Sequence, residues 1–386
     1  MSEARIDSLS NESNTGGPTL SGITTFSGTN YFVPPVGNTA QRPQNPEKGA
    51  IRFNTDTRHL EYFRGDGIGW VEVEASNEEL GNIDAGDGKS ARGLGHRGII
   101  AGGAGPVKAD IDYISIPTLG NGTDFGDLTQ AKFAGGAGGS RTRGVFMGGG
   151  TPTRLQEIDY LTFATTGTVA DFGDCDEGHR SQGAGMSNQI RAIYAGGSGP
   201  GGVIDQIDYV TIATTGSGAD FGGALFGASE TQCGCQSTTR GVISGGSSNN
   251  KTIQYITLMT GGNTIDFGDN TIGRNNMGSN AISSATRGMW GGGQSPSYQQ
   301  SIDYVEIATT GNATDFGDMG NALSALSCVD NSIRGVFTGG SNPSGTEQNH
   351  MTYVQIATTG DASDFGDLIN ATRTHMSTSN GHGGLA

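Results

Sequence analysis

The residues of this chain best equipped for chemistry are its aspartates, histidines, cysteines and arginines, and their spacing points away from catalysis. An Asp-Phe-Gly motif recurs at Asp124, Asp171, Asp220, Asp266, Asp315 and Asp364, in most copies followed by a second aspartate. Glycoside hydrolysis needs two carboxylates at one unique site, whereas these are shared evenly along the chain. Calcium needs six or more oxygen ligands, which two aspartates per repeat do not supply. The motif lacks the glycine-rich loop, strand lysine and His-Arg-Asp context of a kinase. The six histidines, His59, His96, His179, His350, His375 and His382, show no paired spacing for a metal or copper-radical centre. Cys233 and Cys235 stand too close together for zinc, and with Cys175 and Cys328 they read as unpaired structural thiols. The expectation is therefore no catalytic residue, no metal site and no cofactor. Arg64-Gly65-Asp66 reads as hairpin-turn chemistry rather than a receptor motif.

Once-per-repeat residues do structural work once per repeat, so the elements that carry them come next. From Arg97 onward six copies begin at Arg97, Arg143, Arg191, Arg240, Arg287 and Arg334, with a period of 46 to 49 residues. Such a period marks a repeat array or propeller. Glycine supplies 69 of 386 residues and hydrophobics 33%, yet the glycines recur in register with apolar segments, which is order rather than linker composition. The interval from each arginine to the second of two paired glycines is always six, and from Tyr113, Tyr160, Tyr209, Tyr255, Tyr304 and Tyr353 to the motif phenylalanine always twelve. Fixed intervals predict strands and a hairpin of one register. The glycine-to-tyrosine interval varies from 9 to 13 and the phenylalanine-to-arginine interval from 18 to 20, so insertions concentrate in two connections per repeat.

Four strands per repeat follow: a small-residue strand before the arginine, then RGVFTGG-like, IDYVTIA-like and TDFGD-like strands. The fold class is all-β, and six such units predict a six-bladed β-propeller over residues 93–386. A hydrophobic strand ending in Gly-Gly, a tyrosine one loop later and an aromatic on the last strand resemble the kelch repeat over residues 97 to 367. Phe125 and its five equivalents replace the usual late tryptophan. The segment INATRTHMSTSNGHGG reads as a seventh first strand that closes the ring, with GDGKSARGLGH as a weaker candidate for the same place.

The first 92 residues differ in character. Residues 1–48 are a polar, extended arm; 49–75 read as a small β-meander with strands at Ile51 to Asn54, Leu60 to Phe63 and Trp70 to Val73; 76–92 read as a linker. The apolar residues Tyr31, Phe32, Val33, Ile51, Phe53, Leu60, Tyr62, Phe63 and Trp70 outnumber what so small a segment buries alone, which predicts homo-oligomerisation. The string carrying Arg42, Pro43, Asn45, Pro46, Gly49, Ile51 to Thr57 and Trp70 resembles a module of virion fibre proteins of tailed phages. With the downstream repeats, the whole chain is similar to structural appendage proteins of phages that infect marine cyanobacteria. That resemblance implies a virion location, attachment to other virion proteins through the N-terminal module, and a homotrimer.

A net charge of −16 argues against a nucleic-acid backbone as partner. No window holds eighteen consecutive apolar residues, and the N-terminus lacks a basic region followed by an apolar core. The leading expectation is a non-enzymatic tail or neck fibre protein whose variable loops bind a host surface glycan or protein. The alternatives are a structural connector or decoration protein contacting other virion subunits, and a glycan-active propeller enzyme. Alternating strands place both variable connections at one end of the repeat. Contacts are therefore expected at Lys108, Arg154, Gln156, Asn249, Asn250, Lys251, Tyr298, Gln299, Gln348, Asn349 and His350.

Overall fold

In the computed structural model, the described residues are 34–73 and 97–385, without 58, 66, 168, 177, 179 and 226. Tyr31, Phe32, Val33, the 76–92 linker and the alternative closing segment before residue 97 lie outside them. The chain divides into two compact units, 1–77 and 78–386.

Within the first unit, β1 (Val36–Gly37) lies parallel to β2 (Ile51–Asn54), and β3 (His59–Phe63) and β4 (Trp70–Glu72) follow antiparallel, in the order β1-β2-β3-β4. Strand alternation separates two faces of opposite character. On one, Arg52, Asn54, Glu61 and Phe63 are buried; on the other, Phe53, Leu60 and Tyr62 are half-buried and Ile51 is 52% exposed. Glu61 organises the buried face: Arg42 and Asn54 donate to its carboxylate, and Arg52 lies 3.5 Å from it. The hydrogen bond from Arg42 holds the Glu61 carboxyl below the usual carboxylate range, against the opposing effect of burial. A module this small thus spends its covered face on an ion-pair network and leaves its apolar face only half-covered.

The second unit is all-β and consists of repeated four-stranded antiparallel sheets, a form compatible with a β-propeller. Five sheets take their strands in chain order, beginning at Gly136–Gly139, Ala184–Ser187, Gln232–Gln236, Ile282–Ser283 and Ser327–Asp330. The short strand Gln294–Ser295 adds a fifth member to the sheet that starts at Ile282. In the remaining sheet, the C-terminal strand Met376–Ser379 pairs with Arg97–Ala101, which continues to Asp110–Ser115 and Thr123–Asp127. Numbered by their arginines, the sheets touch through their first strands as 1–2, 2–3, 3–4, 4–5, 5–6 and 6–1.

Three repeated interactions explain why the motif residues are what they are. Each repeat arginine lies over the tyrosine ring of its own sheet, 4.1 to 4.7 Å from the ring centre. The same guanidinium donates to a backbone carbonyl of the next sheet. Arg97 reaches Phe163, Arg143 reaches Ile212, Arg191 reaches Leu258, Arg240 reaches Ile307, Arg287 reaches Ile356 and Arg334 returns to Ile116. The tyrosine meets the motif phenylalanine edge-on with ring centres 5.8 to 6.3 Å apart, which is why their spacing never varies. The motif glycine lets the neighbouring hairpin turn approach: a Cβ on Gly126, at φ +142°, would stand 2.4 Å from the Gly167 carbonyl oxygen. Gly167 in turn donates its N–H to Phe125 O at 2.7 Å. The six motif aspartates themselves are exposed along the fourth strands. Charge on an exposed edge opposes pairing with another chain.

A fourth pattern was not anticipated. Ala134, Gln182, Thr231, Asn276, Ala325 and Thr374, one before each first strand, all adopt left-handed backbone with φ between 49 and 65°. Their neighbourhood forms a cycle of backbone bonds: Ala134 N–H to Thr374 O, Gln182 to Ala134, Thr231 to Gln182, Met277 to Thr231, Ala325 to Asn276 and Thr374 to Ala325. At five of these six positions the left-handed residue's own N–H points sideways at the adjacent repeat, and at the sixth Met277 donates in place of Asn276.

Candidate binding cleft

The two variable connections of a repeat meet in space. Ala104 bridges to Arg373, Phe133 to Gly150, Ser181 to Ser198, Asn275 to Gln294 and Ser324 to Ser341, each joining a connection after a second strand to one after a fourth strand. Sheets 2 and 3 carry long hairpins here, Arg143–Thr151 with Thr153–Thr162 and Arg191–Gly199 with Gly202–Thr211. Between them lies an open cleft of about 660 Å³. Phe133, Pro152 and Pro200 give it apolar walls, and Thr153, Arg154, Ser181 and Gln182 give it hydrogen-bonding groups. Arg154 is oriented by its bond to Ser198 Oγ at 2.7 Å. That volume and mixed lining suit a small polar ligand or one or two units of a longer chain.

A buried ion pair secures the connection that carries Phe133. Lys132, adjacent to Phe133, lies 3.0 Å from Asp159, whose other oxygen accepts from Thr129. Arg180 and Asp208 repeat this at 2.9 Å in sheet 3, and Arg274 and Asp303 at 2.9 Å in sheet 5. Burial pulls the Arg274 guanidinium below its ordinary value while the Asp303 charge opposes that pull. Arg180 also donates to Tyr194 O and lies over the Tyr194 ring, and Arg274 donates to the carbonyls of Gly292 and Ser301. Among the described residues three sheets show no such ion pair, and in two of them the aspartate is replaced. Gln254 takes its place in sheet 4, bonded to Thr264, and Thr352 in sheet 6. In sheet 1 Asp112 remains, accepting from Ile369 N–H, and burial raises its carboxyl above the usual range.

Of the residues expected to bind, Arg154 lines the cleft, and Gln156 lies on the same strand, half-buried. Several others are engaged by groups of the protein itself. Lys108 Nζ donates to Ala371 O, Lys251 Nζ to Thr271 O, and Asn250 accepts from Thr252 N–H. Asn249 is left-handed, and its side-chain oxygen is buried. Tyr298 and Gln299 sit on Ser297–Glu306, where Gln299 donates to Ser295 O and Ser297 O. Gln348, Asn349 and His350 lie on Gln348–Gln355, with His350 Nδ1 within 3.7 Å of Asp364 and Asp367. These positions belong to several sheets and do not converge on one cleft. Phe133, Ser181 and Gln182 were not anticipated because they come from the connections after fourth strands. The signal for the ion pairs was in the repeats: the aspartate of Ile-Asp-Tyr is absent from sheets 4 and 6, and the connections leading into their first strands, 225–231 and 324–326, lack Lys and Arg.

The four thiols are free and buried, with Cys175 and Cys233 both pushed up by burial to about 12. Among the described residues no group of three or more His, Cys, Asp or Glu side chains is arranged to hold a metal ion. No protein-family model matches the sequence, and no curated protein does.

Proposed function

We propose that this chain is a non-enzymatic virion appendage protein of tail or neck fibre type, in which a six-bladed, kelch-like β-propeller binds a host surface glycan or protein. The observation that carries the binding reading is the cleft between sheets 2 and 3, built from the length-variable connections on a rigid repeated scaffold. Six blades are supported by the cyclic contacts of the first strands, the cycle of backbone bonds and the Arg-to-carbonyl bonds that return to sheet 1. The N-terminal module serves as anchor to other virion proteins and as the homo-oligomerisation element, with a trimer favoured. Its support is the half-covered apolar face around Ile51, Phe53, Leu60 and Tyr62. The virion assignment rests on the resemblance of the N-terminal string and the repeats to phage appendage proteins.

A glycan array and a panel of cyanobacterial cells, probed with the full chain, test the binding reading. Phe133→Ala and Arg154→Ala should each weaken retention at least tenfold without lowering the melting temperature. Thr215→Ala, in an exposed hairpin turn at the other end of sheet 3, should leave it unchanged. The reading fails if the cleft variants bind normally while the turn variant does not. Retention of other virion proteins instead of cells or glycans would favour a connector.

A further inference from the structure

A second, smaller site lies where the first strands end beside the C-terminal turn Gly383–Leu385. Gly139, Ser187, Gln236, Ser283, Asp330 and Ser379 occupy equivalent positions, one from each sheet, and hydrogen bonds link them laterally. Gly139 N–H donates to Ser187 Oγ, Gln236 Nε2 to Ser283 Oγ, Ser283 N–H to Asp330 Oδ2 and Ser379 Oγ to Asp330 O. Two buried oxygens are left without a partner: Asp330 Oδ1 and Gln236 Oε1. Both residues line a small cavity of about 10 Å³, room for one water-sized body, and are 2% and 5% exposed. Orphaned groups of this kind in a native interior call for an occupant.

With Asp330 ionised both orphans are acceptors, so an occupant of the cavity has to bring positive charge or hydrogen-bond donors. His382, which lines the same cavity, cannot bring the charge. Its Nε2 donates to Gly139 O at 2.8 Å, and its Nδ1 accepts the Gly384 N–H at 3.2 Å, which fixes the neutral ring. Among the described residues no Lys or Arg lines the cavity. An unpaired carboxylate in such a place is costly, and burial raises the Asp330 carboxyl well above its ordinary value.

We propose that this cavity is a binding site for a single small monovalent cation of sodium size, held between Asp330 Oδ1 and Gln236 Oε1. An all-oxygen set suits a hard cation. One carboxylate among neutral groups balances one positive charge, whereas a divalent ion would leave a buried surplus. The site joins first strands from different sheets beside the closing C-terminal segment, so a cation here stabilises the assembled sheets and has no such site in the unfolded chain.

Melting of the full chain at pH 7.5 in sodium chloride and in choline chloride of equal ionic strength tests the site. The melting temperature should be higher in sodium and rise with the logarithm of its concentration. Asp330→Asn should melt identically in the two salts, and native mass spectrometry should lose one bound sodium. Should Asp330→Asn fail to fold, Gln236→Met decides: it should move the half-maximal sodium effect to at least tenfold higher concentration. Equal melting of the unsubstituted chain in both salts overturns the proposal and leaves a water or a proton on Asp330 as the occupant. Retention of the full sodium effect in the folded variant overturns it as well.

Discussion

Asp159 and Lys132 illustrate how a single residue's value here depends on its partner. Both are buried, and removing one strands the other's charge in the interior. Asp159→Ala should therefore cost about 3–5 kcal/mol in urea unfolding, while Lys132→Met with Asp159→Leu should cost far less. The same substitution at the exposed Asp171 should stay within about 0.5 kcal/mol. Two histidines make a pH argument at this scale. Burial lowers His375 to about 3 and His382 to about 4. In the unfolded chain both take up protons below an ordinary value of 6.5, whereas in the folded chain they stay neutral until those lower values. Stability contributed by their neutrality is thus present above about pH 6.5 and is lost as the pH falls towards 3. The melting temperature should drop steadily over that window, and His382→Gln should flatten the part of the slope that ends near pH 4.

At the level of elements, the pairing of Met376–Ser379 with Arg97–Ala101 places the last strand of the chain beside the first strand of the repeats. Removing residues 374–386 should expose Arg97–Ala101 as an unpaired edge and remove the Thr374 links to Ala134 and Ala325. A fall in melting temperature of at least 15 °C with aggregation on heating is expected, read by differential scanning fluorimetry and light scattering. A truncated chain that melts like the full one would show that this strand is dispensable. The strands themselves were legible from alternation and fixed spacing because the residues that set them are local. Ile51 to Asn54 is a strand as read, and the first-strand segments lie immediately before each arginine. The short parallel strand Val36–Gly37 was not legible, since two residues carry no periodicity.

For the molecule as a whole, the N-terminal module and the repeat region distribute charge and apolar surface differently. Ile51 and Tyr62 are paired neighbours on the half-covered face of the module. Ile51→Glu with Tyr62→Glu should convert an oligomer into a monomer by light scattering while the repeat unit keeps its melting transition. An unsubstituted chain that is already monomeric would remove the basis for self-association through this face. The net charge of −16 fits a surface whose edge strands carry aspartate six times, a defence against edge pairing on a glycine-rich scaffold.

What the residues determined alone was whatever depends on short range: the period, the strands and the Tyr-to-Phe register. A twelve-residue interval constrains one hairpin, and the hairpin needs no knowledge of the rest of the chain. Tertiary structure decided everything that joins residues far apart. Between the two segments that the sequence offered for this place, it paired the C-terminal one, Met376–Ser379, with Arg97–Ala101, 275 or more residues away in the chain. It brought Phe133, Arg154 and Gln182 into one cleft from two sheets, and set Asp330 beside Gln236 around a space that neither neighbourhood reveals. The physical reason is common to all three. Such sites are formed by the packing of one sheet against the next, and spacing along the chain does not encode which side chains that packing leaves facing each other.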